Sequence, residues 1–185
     1  PTTSFKPFTL TPARFATHLT HLRTHGYTVL TVTQLCAAMN TPGYTWPAHP
    51  VVLTFDDGFA DFYTSAFPIL GDYGFTATLH ITTGFVGATS RWLKAAGEGA
   101  RPMLTWSQIR EIQAYGIECG AHTQHHPQLD ILPRQKAYQE ITLAKFTLEQ
   151  QLGQPVTSFA YPYGYYDQTV RNMVRIAGYR AACAL

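Results

Sequence analysis

Short apolar segments alternate with amphipathic helical segments about six times along the chain, and no sequence unit repeats. Few architectures tolerate that rhythm. Strands joined through helices run parallel, and a parallel sheet must be covered on its faces. The strand segments fall at residues 27–30, 51–55, 76–81, 117–121, 156–160 and 179–185. Helices are predicted from the Thr11-Pro12 start to about Gly26, from a Thr33 cap through Met39, and over 61–73 with an interruption at Pro68. Three more follow: 106–115 behind a Thr105 cap, 133–152, and a last one reaching Ala177 from an Asp167 cap. In the 133–152 helix, Tyr138, Ile141, Leu143, Leu148 and Leu152 supply the apolar contacts. Residues 41–50 and 87–102 are irregular; the second is a Gly- and Ala-rich loop carrying Trp92, of a length that is often functional or mobile.

An apolar content of 45% with only 13% charged residues gives a compact globule, and 185 residues suit one domain. We read 1–185 as a single domain core cut at both ends, since Pro1 is no natural initiator and the last strand stops with nothing after it. Net charge is +2 and the basic residues form no run, which argues against a nucleic-acid stripe or a polybasic membrane patch. No apolar run has transmembrane length, and no signal peptide opens this stretch. Cys36, Cys119 and Cys183 are too widely spaced for a metal knuckle or a disulfide framework and read as buried thiols. His18, His21 and His25 lie on a solvated helix face. A monomer is expected.

The polar clusters choose between a barrel and an open sheet. They follow the strands ending at Phe55, Ala121 and Ala160, so they converge at the C-terminal mouth of a barrel. The first is Asp56-Asp57-Gly58: two adjacent carboxylates repel unless a cation sits beside them, and the glycine lets the chain turn. The second runs from His122 to Pro127. His122 and His126, one helical turn apart, are able to face one ion, and His125 points elsewhere. Two imidazoles and one carboxylate form a facial set with open coordination positions. The third is Phe159-Ala160-Tyr161-Pro162-Tyr163-Gly164, a strand-to-helix turn that could aim the Tyr163 N–H at a developing oxyanion.

In order and separation, Thr54-Phe55-Asp56-Asp57-Gly58, His122-Thr123-x-x-His126-Pro127 and Pro162-Tyr163-Gly164 resemble the first three motifs of the polysaccharide deacetylases with a NodB-homology domain. The segment 103–129 is most similar to the bacterial exopolysaccharide branch, which includes poly-N-acetylglucosamine deacetylases. The resemblance implies an α/β fold: a distorted, incomplete (β/α) barrel of parallel strands with outer helices. By position it implies Asp57, His122 and His126 as ligands of a divalent metal, usually Zn2+, with Co2+ or Ni2+ as alternatives. It makes Asp56 the general base and the Tyr163 N–H an oxyanion donor, with Pro162, Tyr161 and Trp92 about the substrate. The substrate would be an N-acetylated polysaccharide, met outside the cytoplasm. Two departures stand out. The family's Arg two residues before the Pro is Ala160 here, and the late His motif that supplies a general acid lies beyond this chain. His80 is an outside candidate for that acid, against the ordinary reading of a packed histidine. A sugar-binding relative without turnover and an amidase acting on a small non-sugar amide are the alternatives.

Overall fold

The computed structural model describes residues 1–2 and 5–184 of the chain, so Leu185 of the last expected strand lies outside the described residues. β1 (Thr28–Leu30) pairs with β2 (Pro50–Val52) in a small parallel sheet. β3 (Thr54–Phe55), β4 (Thr78–Ile81), β5 (Glu118–Ala121), β6 (Ser158–Ala160) and β7 (Ala181–Cys183) form a second sheet, in sequence order and parallel throughout. This sheet curls into a half-barrel with helices around it, the incomplete (β/α) barrel expected from the sequence. The single strand expected over 51–55 is divided at Leu53. There the chain changes partner: Val52 still pairs with Leu30, whereas the Leu53 carbonyl already accepts from the Thr78 N–H (2.9 Å).

The helices α1 (Pro12–Thr24), α2 (Val32–Met39), α3 (Phe67–Tyr73), α4 (Trp106–Ala114), α5 (Arg134–Leu152) and α6 (Gln168–Ile176) fall near the expected places. The cap of α2 is Thr31, not Thr33, because Gln34 three residues on completes a capping box with it. The Thr33 hydroxyl instead donates to Glu118 Oε1 (2.6 Å). Pro68 leaves its helix unbroken. A π turn over Phe62–Ala66 precedes it, with the Phe67 N–H reaching back to the Phe62 carbonyl, so the ladder adjusts before the proline's missing donor is met.

α5 buries Ala137, Ile141, Ala144 and Leu148, one stripe at helical spacing, and leaves Tyr138 and Leu143 exposed. Apolarity alone picked out the larger side chains; the small Ala residues are what a close approach of the helix requires. The stripe joins Leu79, Ile81, Ile112, Ile117 and Phe159 in a core whose fully buried members contribute about 1.5–3 kcal/mol each. The 87–102 loop is also held. It contains a 3-10 turn, Arg91–Ala96, and closes through a bridge between Thr89 and Pro102.

Candidate metal centre

The three polar clusters meet at the C-terminal ends of β3, β5 and β6. After β3 the chain enters the left-handed region at Asp57 (φ 76°). The Thr82 N–H then donates to the Asp57 carbonyl (3.1 Å) and the Leu104 N–H to the Gly58 carbonyl (2.9 Å), pinning the turn against two neighbouring segments. Thr123, His126 and Tyr163 also have positive φ, so four of the five such non-glycine residues among those described border this one site. Backbone strain of this kind, about 1–3 kcal/mol per residue, persists where the surroundings over-determine it.

His122 and His126 lie on an irregular loop, not on a helical turn. The left-handed residues at Thr123 and His126 fold the loop back, and the Thr123 hydroxyl accepts from the His126 N–H (2.9 Å). Glu140 on α5 holds the outside of the loop, accepting from the N–H groups of Gln124 (3.0 Å) and His125 (2.7 Å) and pairing with His125 Nδ1 (2.8 Å). His125 therefore faces away from the centre. Gly84 lets the neighbouring segment approach: a Cβ there would lie 2.6 Å from the Gln124 carbonyl oxygen.

Asp57 Oδ1 lies 3.4 Å from His122 Nε2 and 3.2 Å from His126 Nε2, and the two imidazole nitrogens are 3.1 Å apart. An ion held tetrahedrally at 2.0–2.1 Å spaces its ligand atoms about 3.3 Å apart, so this triangle fits one. The donor set agrees. His122 Nδ1 lies 2.8 Å from the Ala160 carbonyl, which fixes its proton on that nitrogen and turns the Nε2 lone pair inward. Burial works to raise the Asp57 pKa, but the facing His122 and His126 rings, when protonated, hold it well below the usual carboxylate range. Burial acts against a charged His122, yet Asp57 and Asp56 raise its pKa.

Asp56 does not join the triangle. Its side chain is 49% exposed to the cleft, and Oδ1 lies 3.0 Å from Nδ1 of His80, a residue with no exposed surface. Burial again works to raise its pKa, and the hydrogen bond from His80 with the nearby imidazole charge brings it below the usual value. His80, sealed beneath Asp56, is not placed to meet a leaving amine in the cleft. Neither this pairing nor the Glu140 clamp emerged from the sequence.

Around the triangle stands an aromatic rim. Tyr163, 47% exposed, sets its ring edge-on to His126 at 4.7 Å, and the Trp92 ring packs against His126 at a tilt, 5.3 Å away. Trp92 also contacts Phe85 and Phe59. Tyr161 is buried and stacks on Tyr166 (4.6 Å); burial and Tyr166 push its hydroxyl up to about 12. Pro162 is buried within the turn that shapes this rim. A largely apolar cleft of about 740 Å³ opens beside Asp56 and Asp57, lined among others by Phe15, Phe62, Trp92, Tyr161 and Tyr163.

A chain with this half-barrel and these three clusters belongs to the polysaccharide deacetylase family, whose sequence pattern matches residues 44–182. It is 29% identical over 166 residues to the Bacillus subtilis protein YxkH, which carries a polysaccharide deacetylase name, covering 90% of this chain and 55% of that one. Over 106 residues it is 33% identical to the poly-β-1,6-N-acetyl-D-glucosamine N-deacetylase of Escherichia coli, covering 55% of this chain and 16% of that one. The chain thus spans only about half of one of these relatives and a sixth of the other. Among solved structures, the Streptococcus pyogenes deacetylase PplD, in complex with acetate, superposes with a TM-score of 0.79 at 28% identity, over 97% of this chain and 76% of that one.

Proposed function

We propose that this chain is a divalent-metal-dependent N-deacetylase that removes acetyl groups from an N-acetylglucosamine-containing polysaccharide outside the cytoplasm. One observation carries the reading: three buried or half-buried donor atoms, 3.1–3.4 Å apart, with the His122 lone pair turned inward. Asp57, His122 and His126 would hold the ion, with zinc the first candidate. When bound, it would polarise the acetyl carbonyl and make a water acidic enough to be deprotonated near neutral pH.

The chain's own residues supply the rest. Asp56 is ionised at neutral pH and open to the cleft, so it takes one proton from the attacking water. Water oxygen bonds to the acetyl carbon, the C–N bond breaks, and a proton goes to the departing nitrogen, giving acetate and a free amine. The Tyr163 N–H serves the oxyanion of the tetrahedral state. Trp92 and Tyr163 wall the approach to His126, and Tyr161 and Pro162 hold the turn under the sugar. No helix among the described residues is long and apolar enough to cross a membrane.

The test is acetate release from β-1,6- and β-1,4-linked N-acetylglucosamine oligomers and from peptidoglycan, with zinc, cobalt or nickel added back to stripped protein. Release that a chelator stops is expected. Release equally fast from stripped protein would end the metal reading. A second reading, a sugar-binding domain without turnover, is motivated by Ala160, which stands where the resembled family usually has Arg, although its exopolysaccharide branch tolerates the replacement. No release from any polymer, with sugar affinity intact, would select it.

A further inference from the structure

We propose that His80, on β4, is the positioning residue of Asp56. The parallel register sets Thr54 against Thr78 and Phe55 against Leu79, so one step further brings Asp56 beside His80. The ring has no exposed surface, and its Nδ1 lies 3.0 Å from Asp56 Oδ1. Its Nε2 is buried with no hydrogen-bond partner among the described residues. A neutral imidazole carries one N–H. On Nδ1 that proton makes a charge-assisted bond to a carboxylate; on Nε2 it would leave two lone pairs facing each other.

The ring is itself immobilised. His80 pairs across the sheet with Gly120, and a Cβ at Gly120 would lie 2.5 Å from His80 Cδ2 and 2.5 Å from Ser158 Oγ. The imidazole fills the volume that a side chain at Gly120 would take. Ala160, which lines the same cleft, offers only a methyl group, and its carbonyl is engaged by His122. Asp56 therefore owes its orientation to a ring fixed in the barrel core, with the rest of its carboxylate free toward the cleft.

This inference rests on the deacetylase reading for its kinetic arm and not for its spectroscopic arm. Nitrogen-15 NMR of the imidazoles in the metal-free chain should show His80 with its proton on Nδ1, and on Nε2 once Asp56→Ala removes the acceptor. In zinc-loaded protein acting on β-1,6-linked N-acetylglucosamine oligomers, His80→Leu should lower kcat about 10–100-fold, the scale of a misplaced catalytic group. KM and zinc stoichiometry should not change. His80→Asn, which restores an N–H donor, should recover most of kcat. A wild-type ring protonated only on Nε2 would overturn the pairing, and equal kcat in the Leu and Asn variants would overturn its role. If the wild type releases no acetate, the deacetylase reading falls, and the tautomer alone upholds or overturns the pairing.

Discussion

The Nδ1–H of His122 donates to the carbonyl oxygen of Ala160 across 2.8 Å, tying the end of β5 to the end of β6. The backbone of one strand thereby decides which nitrogen of a side chain on the next is left bare. The same exchange recurs around the centre: Glu140 orients the loop that carries His126, and His80 meets Asp56. The His122 ring and the Asp56 carboxylate are thus each held from behind by a partner on a different element.

Asp57→Asn tests the triangle with the least backbone disturbance, since Asn tolerates the left-handed region that Asp57 occupies. It keeps the shape and removes the charge. Zinc affinity, measured by competition with a chromophoric chelator, should fall by at least about 100-fold, more than the loss of an outer-shell partner brings. Retention of wild-type affinity would place the ion elsewhere.

Asp56→Asn separates binding from turnover. The amide oxygen still accepts from His80, and the metal triangle is untouched. Acetate release should fall about 10²–10⁴-fold in kcat, with zinc content and sugar affinity unchanged. An unaffected kcat would show that some other group takes the proton.

Glu140→Gln addresses the clamp. The carboxylate accepts from two backbone N–H groups and pairs with His125. Hydrogen bonds to a charged group contribute about 1.5–3 kcal/mol, so the melting temperature should drop by roughly 4–10 °C. Zinc should bind several-fold more weakly, because the loop positions His126. A melting temperature unchanged in thermal denaturation would mean that the loop needs no clamp.

The half-barrel was legible because polar turns punctuate short apolar strands, and each cluster follows a strand end: Phe55, Ala121, Ala160. Local signals also marked the Thr105 and Asp167 caps. What escaped depends on tertiary partners. The division at Leu53 follows from a change of neighbouring strand, which no window of sequence records. His80 stands between Leu79 and Ile81 and looks like core; only the β3–β4 register brings it to Asp56, 24 residues away. Glu140 sits on a helix rich in polar residues, with nothing local to set it apart. The His122–His126 spacing suggested a helical turn, but the positive φ values at Thr123 and His126 make it a loop.

Glu118 gives the pH prediction, and it concerns the fold away from the cleft. Its carboxylate accepts from the Thr33 N–H (3.0 Å) and hydroxyl (2.6 Å) and from the Thr78 hydroxyl (3.0 Å), joining α2 to β4 and β5. Burial works to raise its pKa, but the Ser158 and Thr33 hydroxyls and the Thr33 N–H favour the charged form and bring it below the ordinary 4.5. A carboxyl depressed on folding stabilises the protein fully above its unfolded value. That contribution is lost as pH falls below 4.5 and through the folded value. Glu118→Gln should therefore cost about 1.5–3 kcal/mol at pH 7 in urea denaturation. The difference from wild type should shrink steadily as the pH is lowered from about 5 toward 3. A gap independent of pH over that range would mean that the lost stability comes from packing rather than from the charge on Glu118.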